Sequence, residues 1–259
     1  MSSPITTELV KELRDTTGIS VMQCRKALEE ANGDMKTAMA ILKKNSAAVA
    51  EKKVGREAKD GAVMIASNEN KSVIVALHCE TDFVSKNEDF TSLLSTLSKK
   101  ALSEGVEAMK SEAKEIIDPV IQKTGENIQI GEVFEVSGDV LGSYVHNNKS
   151  AVIVSLSGGD KDLARDIAMH ITAMKPEYMD DSEVDEDARK MMSEIFTKEV
   201  AEVNKPEDIK KKMLDGKINT YFKEKTLIHQ PFIKDGDMTV GQLLDKAKAK
   251  IKEVKRYSI

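Results

Sequence analysis

A short internal echo constrains this sequence most. Residues 67–77 read SNENKSVIVAL and residues 146–156 read HNNKSAVIVSL, so Asn-Lys-Ser twice precedes a Val-Ile-Val run, with one extra alanine in the second copy. An Asn/Lys/Ser tip between two β-prone runs is a hairpin signal. Each tip follows an apolar segment, residues 62–65 in the first copy and 140–145 in the second. Each Val-Ile-Val run leads into a helical pattern. The first covers roughly 87–103, with Phe90, Leu93, Leu94, Leu97 and Leu102; the second covers roughly 161–174, with Leu163, Ala164, Ile167, Ala168, Ile171 and Met174. Two hairpin-plus-helix units predict an α+β core of two related halves with small antiparallel sheets.

The copies differ where strand meets helix. The second connects through Ser157-Gly158-Gly159-Asp160, an ordinary short turn, whereas the first carries Glu80-Thr81-Asp82-Phe83-Val84. Loops held on rigid scaffolds are where binding residues concentrate. Phe83 is one of only 6 phenylalanines in a chain without tryptophan, and it stands between an acid and a polar stretch. The lengthened turn is expected to present it outward.

Residues 6–43 carry three short helical patterns. Thr6 or Thr7 caps the first (Leu9, Val10, Leu13), which Gly18 ends; Ser20 caps the second (Val21, Cys24, Ala27, Leu28, Ala31), closed by Asn32-Gly33; Asp34 caps the third (Met35, Ala38, Met39, Ile41, Leu42). A three-helix bundle similar to ubiquitin-associated domains, together with the linker that follows it, is expected over 1–54. Val21 and Met22 are adjacent and cannot both enter one small core. Either one of them is incidentally exposed, or the TGISVM turn is a docking surface. Residues 43–60, rich in Ala, Lys and Glu, read as a helical, solvated linker broken at Gly55 and Gly61.

Residues 183–226 have a different character. One helical stripe (Val184, Ala188, Met191, Met192, Ile195, Phe196, Val200, Val203) is followed by Asn204-Lys205-Pro206 and a second stripe (Ile209, Met213, Leu214, Ile218, Tyr221, Phe222). An antiparallel, coiled-coil-like hairpin is expected there, inserted into the second half of the core. The core then comprises 55–139 as its first half and 140–182 with 227–259 as its second. The hairpin reads equally as decoration or as a partner or dimer contact.

Composition narrows the function classes. Of 259 residues, 32% are charged and 4% aromatic, and the formal net charge of −5 argues against a broad nucleic-acid surface. Cys24 and Cys79 form no disulfide framework, and MSSPITTELV has neither basic n-region nor apolar h-region. Without an apolar run near the roughly 20 residues that span a bilayer, a cytoplasmic protein with no direct membrane contact is expected. Neither glycine-rich phosphate loop, G-x-G-x-x-G or G-x-x-x-x-G-K-S/T, occurs, and His78, His146, His170 and His229 have no metal-ligand spacing. No catalytic, cofactor-binding or metal-ligating residue is expected. An enzyme with dispersed catalytic groups has no positive support.

TGISVMQCRKALEEANGDMKTA (17–38), ETDFVSKNEDF (80–90), GENIQI (125–130), LGSYVHNNK (141–149), AMHITAMKPEYM (168–179) and QPFIKDGDMTVGQLL (230–244) together resemble the translation elongation factor Ts family, in that family's order and over essentially the whole chain. The resemblance implies a guanine-nucleotide exchange factor for the GTPase elongation factor Tu, one that does no bond chemistry and holds no cofactor of its own. It implies that Thr81-Asp82-Phe83-Val84 works near the Mg²⁺ and phosphates, with Phe83 inserted into a pocket of the GTPase and Asp82 disturbing the surroundings of the metal. It implies further contacts from Val21, Met22 and Arg25, from His146 and from Ile233. Direct nucleic-acid contact is not expected, and a one-to-one complex, a homodimer or a two-to-two assembly all remain open. The family often has two methionines where Val21 and Met22 stand, a change that keeps the patch apolar. Longer members continue into a C-terminal helical module that touches the partner; this sequence, ending Arg256-Tyr257-Ser258-Ile259, is expected to lack or replace that contact. The alternative reading is a ubiquitin-associated-like adaptor without exchange activity.

Overall fold

Three side-chain caps start the molecule. The oxygens of Thr6, Ser20 and Asp34 accept the backbone N–H of Leu9 (3.3 Å), Gln23 (3.4 Å) and Thr37 (2.7 Å). They open α1 (Thr7–Thr17), α2 (Val21–Glu30) and α3 (Met35–Glu51). In the computed structural model, which describes residues 5–259, these helices close over Leu13, Cys24, Ala27, Leu28, Ala38 and Leu42. The first four residues of the expected bundle lie outside the described ones. Helix α3 runs well past the bundle, and Ser46 and Ala50 on it are buried. Residues 43–60 are therefore solvated only in part, because Ala50 shares a core with Met109, Ile117 and Ile121.

The two hairpins follow the echo. Strand β1 (Asp60–Ser67) pairs antiparallel with β2 (Lys71–Cys79), in a register running from Asp60↔Cys79 to Ser67↔Ser72. Asn68 Oδ1 accepts the N–H of Asn70 and Lys71 at the tip, fixing a tight turn. After β2 come α4 (Asp82–Ser85), α5 (Glu88–Glu104), α6 (Val106–Thr124) and β3 (Gln129–Ser137), which completes a sheet of order β1-β2-β3. The second hairpin, β4 (Val140–His146) and β5 (Ser150–Ser157), turns through Asn147 and Asn148, both with positive φ (50° and 55°). Lys149 N–H closes this turn on His146 C=O at 2.9 Å. Two consecutive left-handed residues match the primed turns that suit strand twist, and asparagine tolerates that conformation.

Beyond β5 lie α7 (Lys161–Met174), α8 (Glu186–Ala201), α9 (Glu207–Lys225), β6 (Pro231–Phe232), β7 (Asp235–Thr239), α10 (Val240–Lys246) and β8 (Lys250–Ser258). Strand β8 completes a sheet of order β4-β5-β8. Helices α8 and α9 run antiparallel: Ala201 C=O accepts from Lys210, Glu199 pairs with Lys217, and Phe196 meets Tyr221 edge-to-face at 5.8 Å. The fold is α+β. The chain packs as two compact units, one running through Val136 and taking in Val145–Ala151 and Arg256–Ile259, the other made of Ser137–Tyr144 and Val152–Lys255. In the first, Val73, Val75 and Leu77 of β2 pack with Phe90, Leu94 and Leu97 of α5; in the second, Val152, Val154 and Leu156 of β5 pack with Ile167 and Ile171 of α7. Among the described residues, no helix is long and apolar enough to cross a membrane.

Candidate functional site

The connection after β2 is a helical turn rather than an open loop. Thr81 caps it, its hydroxyl accepting Val84 N–H at 3.4 Å, while Ser85 N–H reaches Thr81 C=O at 3.2 Å. A single turn divides its side chains sharply between inside and outside. Val84 packs against the core beneath β2 and α5, and Ser85 is buried. Phe83 points the other way and is 83% exposed, the most exposed of the large apolar side chains among the described residues. Asp82 is exposed beside it and pairs with Lys86 at 2.8 Å, which raises the Lys86 pKa. Of the four expected residues of this segment, Asp82 and Phe83 thus face out, while Thr81 and Val84 build the support.

That support is dense. Glu126 accepts the N–H of both Glu80 and Thr81 (each 3.0 Å) and the Thr81 hydroxyl (2.7 Å). Glu80 in turn accepts Asn127 N–H at 2.7 Å and meets Arg56 at 3.5 Å. The Asn127 side-chain amide donates to Arg56 C=O at 2.6 Å, and Lys53 donates to Gly125 C=O at 2.7 Å. The Gly125–Asn127 turn therefore binds the chain on both sides of β1 and β2. The adjacent His78 and Cys79 face opposite ways, as consecutive strand residues must: His78 Nε2 lies 2.9 Å from the Tyr257 hydroxyl, while the buried Cys79 thiol donates to Thr81 C=O at 3.1 Å. Burial, with the carboxylates of Glu126 and Asp60 nearby, pushes that thiol up to about 12.

Two further chains of contact lead from the turn to other expected residues within the same unit. Lys149 Nζ donates to Asp60 Oδ1 and Gly61 C=O (both 2.6 Å), and Val63 N–H donates to Asn148 C=O at 2.8 Å. The hairpin tip carrying His146 is thereby fastened to β1, against which α4 also packs. Partial burial would raise the Asp60 pKa, but hydrogen bonds from Lys149, from Gly61 N–H and from Ser85 of α4 outweigh it and hold the carboxyl below its usual range. His146 itself is exposed, with Nε2 3.3 Å from the Asn147 amide.

The second chain of contact reaches the bundle. Gly18 closes α1 with φ +67°, and the aliphatic end of Lys123 lies over its α-carbon, where a Cβ would fall 1.9 Å from Lys123 Cε. Lys123 Nζ pairs with Asp89 of α5 at 2.5 Å, and the Gln122 amide donates to Gln23 at 3.0 Å. The TGISVM turn is thus pinned to α6 and, through Asp89, to the first turn of α5. Beyond the pin, Val21 (52% exposed) and Met22 (82%) both face outward, and Arg25 is exposed and paired with Glu29 at 3.1 Å.

Ile233 belongs to the second unit. It is exposed while its neighbour Phe232 is buried. Its N–H donates to His170 Nδ1 at 3.2 Å, and His170 Nε2 lies 2.9 Å from Gln230 Oε1. One ring nitrogen accepting and the other donating requires the neutral tautomer with its proton on Nε2. Burial lowers the His170 pKa, opposed by the bond to Gln230, so the ring stays in that form near neutral pH. Sequence reasoning missed Glu126, Asn127, Lys123 and His170 as supports. Glu126, Asn127 and His170 lie inside segments that carry the family resemblance, which was the available signal; Lys123 lies two residues before one of them.

The comparisons with known proteins agree with these segments. A family profile described as elongation factor TS matches residues 80–259. The elongation factor Ts of Thioalkalivibrio sulfidiphilus is 41% identical over 270 residues, covering 98% of this chain and 92% of the relative. That of Hahella chejuensis is 40% identical over 262 residues, with the same coverage of each. That of Azotobacter vinelandii is 37% identical over 262 residues, covering 98% of this chain and 91% of the relative. With one side of the match carrying the exposed Phe83 turn and the whole carrying the bundle as well, the chain belongs to the elongation factor Ts family of translation elongation factors.

Proposed function

We propose that this protein is a guanine-nucleotide exchange factor for elongation factor Tu, promoting GDP release without bond chemistry of its own. The observation that carries this reading is Phe83: a large aromatic side chain 83% exposed, on a turn whose preceding backbone is held by a carboxylate. An exposed aromatic on a supported turn is preorganised to enter a pocket, since little ordering remains to be done on binding. In this reading Phe83 enters an apolar pocket of the GTPase, and Asp82 disturbs the surroundings of the Mg²⁺. Weakening the metal and the backbone around the phosphates lowers nucleotide affinity, and by linkage bound nucleotide weakens the factor's affinity by the same factor. Val21, Met22 and Arg25 dock the bundle, while His146 and Ile233 make further contacts. The test is release of a fluorescent GDP analogue from elongation factor Tu. Acceleration that grows with factor concentration and saturates is expected. Binding of residues 1–56 to a partner, with no acceleration by the full chain at micromolar concentration, would instead favour an adaptor.

A further inference from the structure

Helix α4 is a single turn of four residues, too short to hold itself by helix propagation. Its hold comes from Glu126, 45 residues away from Thr81 in sequence. One carboxylate oxygen, Oε2, takes the N–H groups of Glu80 and Thr81, and the other, Oε1, takes the Thr81 hydroxyl proton. With its proton committed to Glu126, the hydroxyl offers a lone pair to Val84 N–H, which is the capping bond that opens the turn. The backbone before Phe83 and the cap beneath it are therefore set by one side chain. Asn127 N–H on Glu80 and Lys53 on Gly125 C=O keep the segment carrying Glu126 in place.

We propose that Glu126 is a positioning residue for nucleotide exchange: its carboxylate, acting through Thr81, holds the Asp82–Ser85 turn in the orientation that presents Phe83. This rests on the exchange reading given above. Glutamine is a weaker substitute: it removes the negative charge that strengthens all three bonds, and with its oxygen on the two backbone N–H groups its N–H₂ makes the Thr81 hydroxyl an acceptor, so the hydroxyl proton loses its partner. In the Glu126→Gln variant an amide N–H₂ must face either the two backbone N–H groups or the Thr81 hydroxyl. The turn then frays, and the factor still docks through its other surfaces but presents Phe83 correctly for only part of the time.

The experiment measures release of a fluorescent GDP analogue from elongation factor Tu across a range of factor concentrations, for the unmodified chain and its Glu126→Gln, Thr81→Val and doubly substituted variants. Glu126→Gln should lower the maximal release rate roughly tenfold, as expected for losing a charge-assisted hydrogen-bond cluster. Its half-saturating concentration should stay within about twofold, the pattern of an interaction used in the step rather than in docking. Thr81→Val should behave alike, and the double variant should be no worse than the poorer single one, because both act through one contact. Amide hydrogen exchange on the free protein provides a separate readout: Val84 and Ser85 should exchange roughly tenfold faster in Glu126→Gln while the α5 amides keep their protection.

Unchanged maximal rates, additive effects, or full protection of Val84 and Ser85 would overturn the proposal. So would a raised half-saturating concentration with an unchanged maximum and a lower melting temperature, which is what a merely structural role gives. If Glu126→Gln does not fold, Thr81→Val decides the same points. If the unmodified protein itself accelerates nothing, the exchange reading fails and the exchange role of Glu126 with it. In that case protection still reports whether Glu126 holds the turn.

Discussion

The two strand-to-helix connections start from one plan and diverge at a single point. Counting from the shared Lys-Ser pair and allowing for the extra alanine, Thr81 corresponds to Asp160. Both are N-caps: Thr81 accepts from Val84 N–H and Asp160 from Leu163 N–H. The helix that Asp160 opens continues for 14 residues, whereas the one Thr81 opens stops after 4 and is capped afresh by Asn87 to begin α5. The positions just before the caps differ as well. Gly158 and Gly159 take left-handed φ values of 79° and 71°, and a Cβ on Gly158 would fall 2.4 Å from the Lys248 carbonyl oxygen. The first copy has Cys79 and Glu80 there, and an outside carboxylate takes up the N–H groups of Glu80 and Thr81. A connection that only returns the chain closes on its own backbone through glycine. One that projects a side chain interrupts its helix and needs a clamp from elsewhere.

The largest effects should separate two phenylalanines only seven residues apart. Phe90, fully buried under β2, should cost about 3–5 kcal/mol of stability when changed to Ala, measured by urea unfolding. Phe83→Ala should leave the unfolding free energy within about 0.5 kcal/mol, as for most exposed positions. It should nevertheless reduce exchange on elongation factor Tu by about 2–4 kcal/mol in the apparent barrier, the range of an anchoring aromatic. A Phe83→Ala protein that exchanges normally would remove the functional side of the contrast. One that melts early would show Phe83 to be core in solution.

The second connection predicts the opposite pairing of effects. Gly158→Ala should destabilise by about 2 kcal/mol or more, because a left-handed φ and a backbone carbonyl both oppose the new Cβ. The release kinetics per folded molecule should be unchanged. Thermal melting and the exchange assay, run on the same preparation, decide it. Loss of exchange beyond the loss of folded protein would mean that the second connection also serves the partner.

How far the sequence reached depended on whether the cause was local. Helix α7 was legible to its ends, because Asp160 caps it and Ala164, Ile167, Ala168 and Ile171 keep helical spacing. The outward Phe83 was legible because the repeat supplied an internal reference for an ordinary turn. Helix α6 has no counterpart in the sequence-based expectations, although Met109, Ala113, Ile117 and Ile121 form a buried stripe at four-residue spacing. Pro119 lies inside that helix and lacks the N–H that a helix interior uses, which hides the stripe behind a breaker signal. The one-turn form of Asp82–Ser85 and the role of Glu126 were beyond local pattern. Both depend on a contact between the β2 end and the α6–β3 turn, which no spacing rule encodes. The partial burial of 43–60 has the same origin, since Ala50 is buried only because α6 lies against α3.

The smallest expected effect lies at Cys79, the position that Gly158 fills in the second copy. Burial, with the charges of Glu126 and Asp60, raises its thiol from 9.0 to about 12, so the native state keeps the proton at pH values where the unfolded chain has released it. The unfolded state then binds fewer protons than the native state, and stability must fall as pH rises from about 9 towards 12, with nothing lost below the unfolded value. Between about pH 9 and pH 10 the thiol should contribute a loss of about 1 kcal/mol. Cys24 is present in both proteins and cancels when the unmodified chain is compared with Cys79→Ala. Urea unfolding of the two at several alkaline pH values should therefore show the variant with the flatter decline, even if its stability near pH 7 is lower for want of the buried sulfur. Parallel declines would mean that the thiol ionises freely in the native state. The end of β2 would then be open to solvent in a way that the glycine turn of the second copy, packed against Lys248, is not.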